Sequence, residues 1–276
     1  MIDLFVHKDK KTIKREVPEA WNELSRIQLV NIAGVLFSET DPTIRDLKIT
    51  AHLCSLTFSE LSVIHVNVVH GQLLPLSNWV AASCDLTTQL MPNFVGRWFG
   101  PADYLSNLRF CEFDAAERML HFWLGDPDNM EALWQFVAIL YRPARTNYDH
   151  KRNPEGDVRE PFNGNLTLSN ATEMQKRLPV SYAYAVVLWY KGCRAYISDR
   201  FTRIFNAPEA DQSEVPGEPA YFGLMRSIAK EGIYGSFADV EQLYLYTALT
   251  EMDAALDEQE AIKAAMKDAE QNAKNS

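Results

Sequence analysis

The chain has 276 residues, 47% of them hydrophobic and 23% charged, with a formal net charge of -10. That composition supplies a core for one large or two small domains and excludes a chain too polar to fold. The acidic balance, with no strongly basic segment set against it, excludes nucleic acid as an expected partner.

Residues 1–16, MIDLFVHKDKKTIKRE, carry charge directly after the apolar start and lack the long apolar run of a secretory signal. Their pattern predicts a small hairpin, with IDLFV and KTIKREV on either side of the polar turn HKDK. Pro18 ends the hairpin and suits a first helical turn. A helix is expected over PEAWNELSRIQLVNIAGVLF, where Trp21, Leu24, Ile27, Ile32, Val35 and Leu36 recur at helical spacing. Asp41 and Pro42 read as N-cap and first residue of the next helix. SELSVIHVNVVHGQLLPLSNWV reads as helix, with Ser59 a capping candidate, although VIHVNVV is β-branched enough for a strand. MPNFVGRWFGPADYL has little periodicity and is expected to be an ordered loop with one short helical turn.

NLRFCEF alternates loosely and yields to a helix at Asp114. DAAERMLHFWLG and DNMEALWQFVAILYR then read as helices separated by GDPD. The chain is polar from Ala144 to Asn165, which predicts a long surface loop. An apolar helix follows near Leu178–Ile197, and residues 206–219 form a second polar link. Two helices close the chain, AYFGLMRSIAKEG and the one that follows GIYGS. The apolar run VSYAYAVVLWY is too short to cross a bilayer, so no membrane partner is expected. The expected fold is mainly α: a hairpin segment (1–17), a multi-helix globular domain (18–250) with polar loops near 144–165 and 206–219, and an acidic helical tail (251–276).

Several residue groups invite a chemical reading. Gly232 and Gly235 lie just before a helix, where glycines cradle phosphate in some folds. Neither the Walker spacing nor Gly-x-Gly-x-x-Gly after a strand is present. Gly232 fits a C-terminal cap at positive φ, and Ser236 with Asp239 fits a capping box. Asp114, Glu117 and His121 fall at i, i+3 and i+7 on one helix face, a line of three candidate metal ligands. The plain alternative places the two acids in a first helical turn and pairs Glu117 with His121 at i,i+4. No Glu-x-x-His pair, as a di-iron bundle requires, accompanies them.

His65 and His70, five apart, fall on different helix faces, and Cys111 with His121 remains a candidate dyad. The four cysteines are widely spaced, with no Cys-x-x-Cys, and free thiols are expected. The aromatics of YAYAVVLWY and LHFWL are expected in the core. In the tail, Ala248, Met252, Ala255, Gln259, Ile262, Met266, Ala269 and Ala273 step alternately by four and three residues, a thin heptad seam. The two readings are a solvated helix end and a helix that docks on a partner through Met252, Ala255, Ile262 and Met266.

Three blocks carry a resemblance: VPEAWNELSRIQLVNIA; FGPADYLSNLRFCEFDAAERMLHFWL with LWQFVAILYRPA; and IAKEGIYGSFADVEQLYLYTALTEMD. Together they resemble tail-assembly proteins of tailed bacteriophages and prophages, the last block being similar to the closing helices of tail-assembly-chaperone-like proteins. The resemblance implies a non-enzymatic protein that binds another tail component, such as the tape measure or tail tube. It implies residence in the cytoplasm of the bacterial host or association with the virion. It implies no cofactor and transfers no catalytic residue. The competing expectation is a helical metal-binding protein or enzyme centred on Asp114, Glu117 and His121.

Overall fold

A computed structural model of the chain describes residues 1–8, 11–149, 156–205, 225–226, 228–230, 232 and 234–274. The fold is mainly α with a small antiparallel N-terminal hairpin. Contacts divide the chain into two compact units, residues 1–104 with 116–195 and residues 105–115 with 196–276. The expected boundaries at 17 and 250 fall inside these units.

In the first unit the hairpin pairs β1 (Ile2–Lys8) with β2 (Lys11–Val17), in register from Ile2 opposite Val17 to Lys8 opposite Lys11. Pro18 ends the sheet as expected, but the helix does not start there. A short 3-10 turn, Trp21–Glu23, comes first, and Ser25 then caps α1 (Arg26–Ser38) in a reciprocal box with Gln28. Asp41 caps α2 (Pro42–Leu53), its carboxylate accepting from the Thr43 and Ile44 amides at 2.8 and 3.1 Å. The ambiguous stretch is helical but broken. It runs through α3 (Phe58–Ser62), a single turn α4 (Val66–Val68), a π turn (Val69–Leu73) and a 3-10 segment (Leu74–Ala81). Thr57, rather than Ser59, caps α3.

The aperiodic loop that follows is ordered by burial. Leu86, Met91, Phe94 and Trp98 are fully enclosed. Its β3 (Asn93–Phe94) and β4 (Trp98–Phe99) pair as a hairpin, and β5 (Arg142–Pro143) adds to β4 as a third strand. Phe94 stacks on Tyr141 at 4.1 Å between ring centroids. The hairpin tip is Val95-Gly96, both at positive φ (43° and 66°), with the Arg97 amide donating to the Phe94 carbonyl at 2.9 Å. Two central residues at positive φ make the twisted turn that suits a hairpin, and a β-branched residue strains it. Val95 is exposed and contributes no core packing. Val95→Asn is therefore expected to stabilise the chain by about 1 kcal/mol, measured as a rise in the denaturant midpoint with an unchanged slope. A lower midpoint would show that the valine side chain has a partner.

Helices α5 (Phe110–Gly125) and α8 (Val180–Arg200) contribute residues to both units. Helix α6 (Met130–Leu140) is capped by Asn129, whose side chain accepts from the Ala132 amide at 3.0 Å, and from Ala132 to Leu140 every residue but Gln135 is buried. A helix not anticipated from the sequence, α7 (Gly164–Arg177), packs on α6. The polar stretch from Ala144 is a loop in its described residues, most of them exposed or half-buried, with one buried exception. Its stems pair across Ala144 and Arg159, and Arg159 is fully buried. Residues 150–155 and 206–224, which hold the middle of that stretch and the second polar link, lie outside the described residues.

The second unit includes α9 (Thr202–Phe205), α10 (Phe237–Glu241) and α11 (Leu245–Lys274). Phe110 and Leu245 anchor it through backbone bonds, Phe110 N to Leu243 O at 2.9 Å and Leu245 N to Leu108 O at 2.8 Å. Gly232 has φ 73°, the left-handed cap conformation expected of it. Asp239 reaches back to Ser236, accepting from its amide and its hydroxyl at 2.8 and 2.7 Å. Gly235, at φ 89°, has no room for a side chain, because a Cβ there would stand 2.6 Å from Asp239 Oδ2. The Gly235 amide donates to the Gly232 carbonyl at 3.3 Å, so both glycines serve the backbone of the turn before α10.

Candidate protein-binding helix

Helix α11 meets two environments along its length. In its first turns Leu245, Ala248, Leu249 and Met252 are fully buried. The positions flanking this face carry ion pairs and a hydrogen bond. Arg203 donates through Nε to Asp253 Oδ1 at 3.0 Å and through Nη1 to Asp257, with Glu260 3.9 Å away. Tyr234 donates its hydroxyl to Glu251 at 2.8 Å. These contacts fix the helix as far as the fourth turn. From Asp257 to Met266 every residue is exposed, and Ile262 and Met266 retain 49% and 64% of their accessible surface.

The seam read from the sequence therefore divides. Ala248 and Met252 belong to the core of the second unit, so Met252 is not available to a partner and leaves the set of expected contact residues. Ala255 is half-buried at the division, and Ile262 and Met266 stand in solvent. Periodicity marks a stripe but not the neighbour that each part of it meets. The exposed part carries two large apolar side chains between acidic residues Asp257, Glu258 and Glu260 and basic residues Lys263 and Lys267.

The line of candidate metal ligands on α5 has a different fate. The helix begins at Phe110, so Asp114 lies in its second turn, not at a capping position, and is buried. Both oxygens of Glu117 are engaged, Oε1 by the Tyr190 hydroxyl at 2.9 Å and Oε2 by Arg194 Nε at 2.8 Å. His121 is exposed. Among the described residues no group of three His, Cys, Asp or Glu side chains is placed to hold a metal.

The four cysteines are free. Burial pushes the thiols of Cys54, Cys84 and Cys111 up to about 11, and that of Cys193 further in the same direction. A nucleophilic cysteine needs the opposite shift, so Cys111 lacks the activation that the dyad reading requires. His65 caps α4, its Nδ1 accepting from the Asn67 amide at 3.2 Å, and His70 is exposed on the π turn. Of the aromatic runs, Trp123, Trp189 and Tyr190 are buried, while Phe122 remains exposed.

One feature was not anticipated from the sequence. An apolar groove of about 300 Å³ opens between α2, α3 and the π turn, lined by Leu47, Phe58, Leu61, Ile64, Val66 and Val69. Its signal was the excess of β-branched residues in VIHVNVV, more than a short broken helix buries. Among the described residues no helix is long and apolar enough to cross a membrane. No protein-family model, curated protein or solved structure matches the chain.

Proposed function

We propose that the chain is a non-enzymatic tail structural or assembly protein of a tailed phage or prophage, chaperone-like, acting by binding another tail component such as the tape measure or tail tube. The observation that carries the binding role is the exposed half of α11, with Ile262 and Met266 in solvent on a helix already held in place by its buried half. Such a helix offers anchors at i and i+4 to an apolar groove on a partner. The methionine adapts to an irregular surface, and the neighbouring alanines allow close approach. The assignment to phage tails comes from the three sequence blocks.

Truncation after Asp257 tests the reading. It removes exposed helix and spares Met252 and the Asp253 contact to Arg203, so the melting temperature should stay near that of the parent. Amides beyond Asp257 should exchange quickly in the free chain, since they lack tertiary packing. Pull-downs from induced cells, read by mass spectrometry, should recover a tail protein with the full chain and lose it with the truncated one. Equal recovery by both forms would remove α11 from the interface. Recovery of no tail protein by the full chain would remove the phage assignment.

A further inference from the structure

Around the groove, apolar side chains stand unusually far into solvent: Val63 at 82% exposure, Val66 at 58%, Phe58 at 53% and Ile44 at 43%. They form one face. Phe58 and Val66 line the groove, Val63 lies between Ser62 and Ile64 of its wall, and Ile44 stands one turn before Leu47 on α2. Side chains of these sizes at these exposures add to roughly 400 Å² of apolar surface, within the range of the largest patch on a soluble monomer, which is often functional.

The charges beside this face are neutralised within the chain. Lys48 bonds Glu39, Arg45 lies 3.7 Å from Asp46, and Arg15 lies 3.7 Å from Glu60. Asp41 caps the N-terminus of α2, where the helix dipole favours a negative charge. In a chain of net charge -10 this is a face on which two identical copies meet without repulsion. A basic partner would find no free carboxylate cluster there. The face also carries both a projection and a recess, Val63 beside the groove, which is what a two-fold contact requires of a single surface.

We infer that this face joins two copies of the chain, with Val63 of each copy seated in the groove of the other. Two such faces with their polar rims approach the roughly 1,200 Å² that a stable dimer buries. The contact is independent of α11 and of the phage reading.

Light scattering and sedimentation of the full chain test it. The expected mass at micromolar concentration is twice the 31.4 kDa of one chain. The double variant Val63→Glu/Val66→Asp should halve that mass and keep the helical circular dichroism of the parent, since both side chains are solvent-facing. Ile262→Glu/Met266→Glu should leave the dimer intact. Hydrogen exchange on the unmodified chain gives a readout that no variant can confound, because amides of residues 58–69 should gain protection as concentration rises. A parent that stays monomeric overturns the inference, as does a dimer that survives the groove substitutions. A dimer lost only in the α11 variant would move the contact to the tail and overturn it as well. Protection of residues 58–69 seen only when another protein is added to a monomeric chain would assign the groove to that protein instead.

Discussion

Gly192→Ala is expected to destabilise the chain by about 3 kcal/mol, the upper end of the usual range for overpacking. Helix propensity alone predicts the opposite sign, because glycine in a helix interior costs about 1 kcal/mol relative to alanine. The contact geometry decides. A Cβ on Gly192 would stand 2.3 Å from the Leu86 carbonyl oxygen and 2.6 Å from its amide nitrogen, so backbone would have to move. That segment is held on several sides. Trp189 Nε1 donates to the Thr87 carbonyl at 3.2 Å, and Cys84 Sγ donates to the Leu188 carbonyl at 3.3 Å. From the other side, Asn22 Oδ1 accepts from the Thr87 and Thr88 amides, both at 2.9 Å. Retreat of the loop would break these bonds and uncover Leu86, which is fully buried. For a chain of this size the loss corresponds to a fall of roughly 6–12 °C in Tm. Gly71→Ala is the control, since no atom lies within 4 Å of a Cβ there. A Gly192→Ala variant that melts with the parent would show that the close approach of α8 to Leu86 does not exist in solution.

What the sequence disclosed was local, and what it withheld was mostly remote. The cap at Asp41, the left-handed Gly232 and the Ser236–Asp239 pair are decided by residues within four positions of one another, and each was expected. Helix α5 starts at Phe110, four residues before the Asp114 that the local pattern suggests. The Phe110 amide finds its acceptor at Leu243, 133 residues away, a contact that local sequence does not signal. Helix α7 was missed because GNLTLSNATEMQKR buries only Thr167, Ala171 and Met174, too thin a stripe to stand out from its polar surroundings. Strands of two residues carry no alternation, so the β3–β4–β5 sheet had no signal of its own. At the candidate site, the stripe on α11 was legible, but which part of it is core was not. Met252 and Met266 are the same residue type at the same seam position two heptads apart, and only the neighbours supplied by the rest of the fold separate them. Burial of Arg159 ran against its polar sequence context altogether.

Arg159→Ala is expected to cost about 3–5 kcal/mol at pH 7, the range for breaking one side of a buried ion pair. Arg159 is fully buried and binds Asp157 with two parallel bonds, Nε to Oδ1 at 2.9 Å and Nη2 to Oδ2 at 2.8 Å. Its Nη1 donates to the Leu140 carbonyl at 2.9 Å, while Arg142 Nη1 donates to Ile139 O at 2.7 Å. Two guanidinium groups thus satisfy the last carbonyls of α6, where the helix dipole favours positive charge. Burial alone would raise the Asp157 carboxyl, but the hydrogen bonds and charge of Arg159, with Arg142 nearby, hold it below the usual aspartate value. A depressed folded value stabilises fully above the unfolded value of about 3.9 and is lost as pH falls through the folded one. Without Arg159, burial dominates and the carboxyl rises above the unfolded value. The variant then carries a penalty at neutral pH that fades as Asp157 takes up a proton. Chemical denaturation of parent and variant should therefore give a deficit that is largest near pH 7 and shrinks toward pH 4. Arg159→Lys should recover only part of it, because an ammonium cannot hold both carboxylate oxygens and the Leu140 carbonyl in one plane. Replacing both partners, Asp157→Leu with Arg159→Met, should recover part of the Arg159→Ala loss, since the buried carboxylate goes with its partner, although Arg142 then loses the Asp157 charge 3.9 Å away. A deficit that stays constant between pH 4 and pH 7 would show that the loss is one of packing alone.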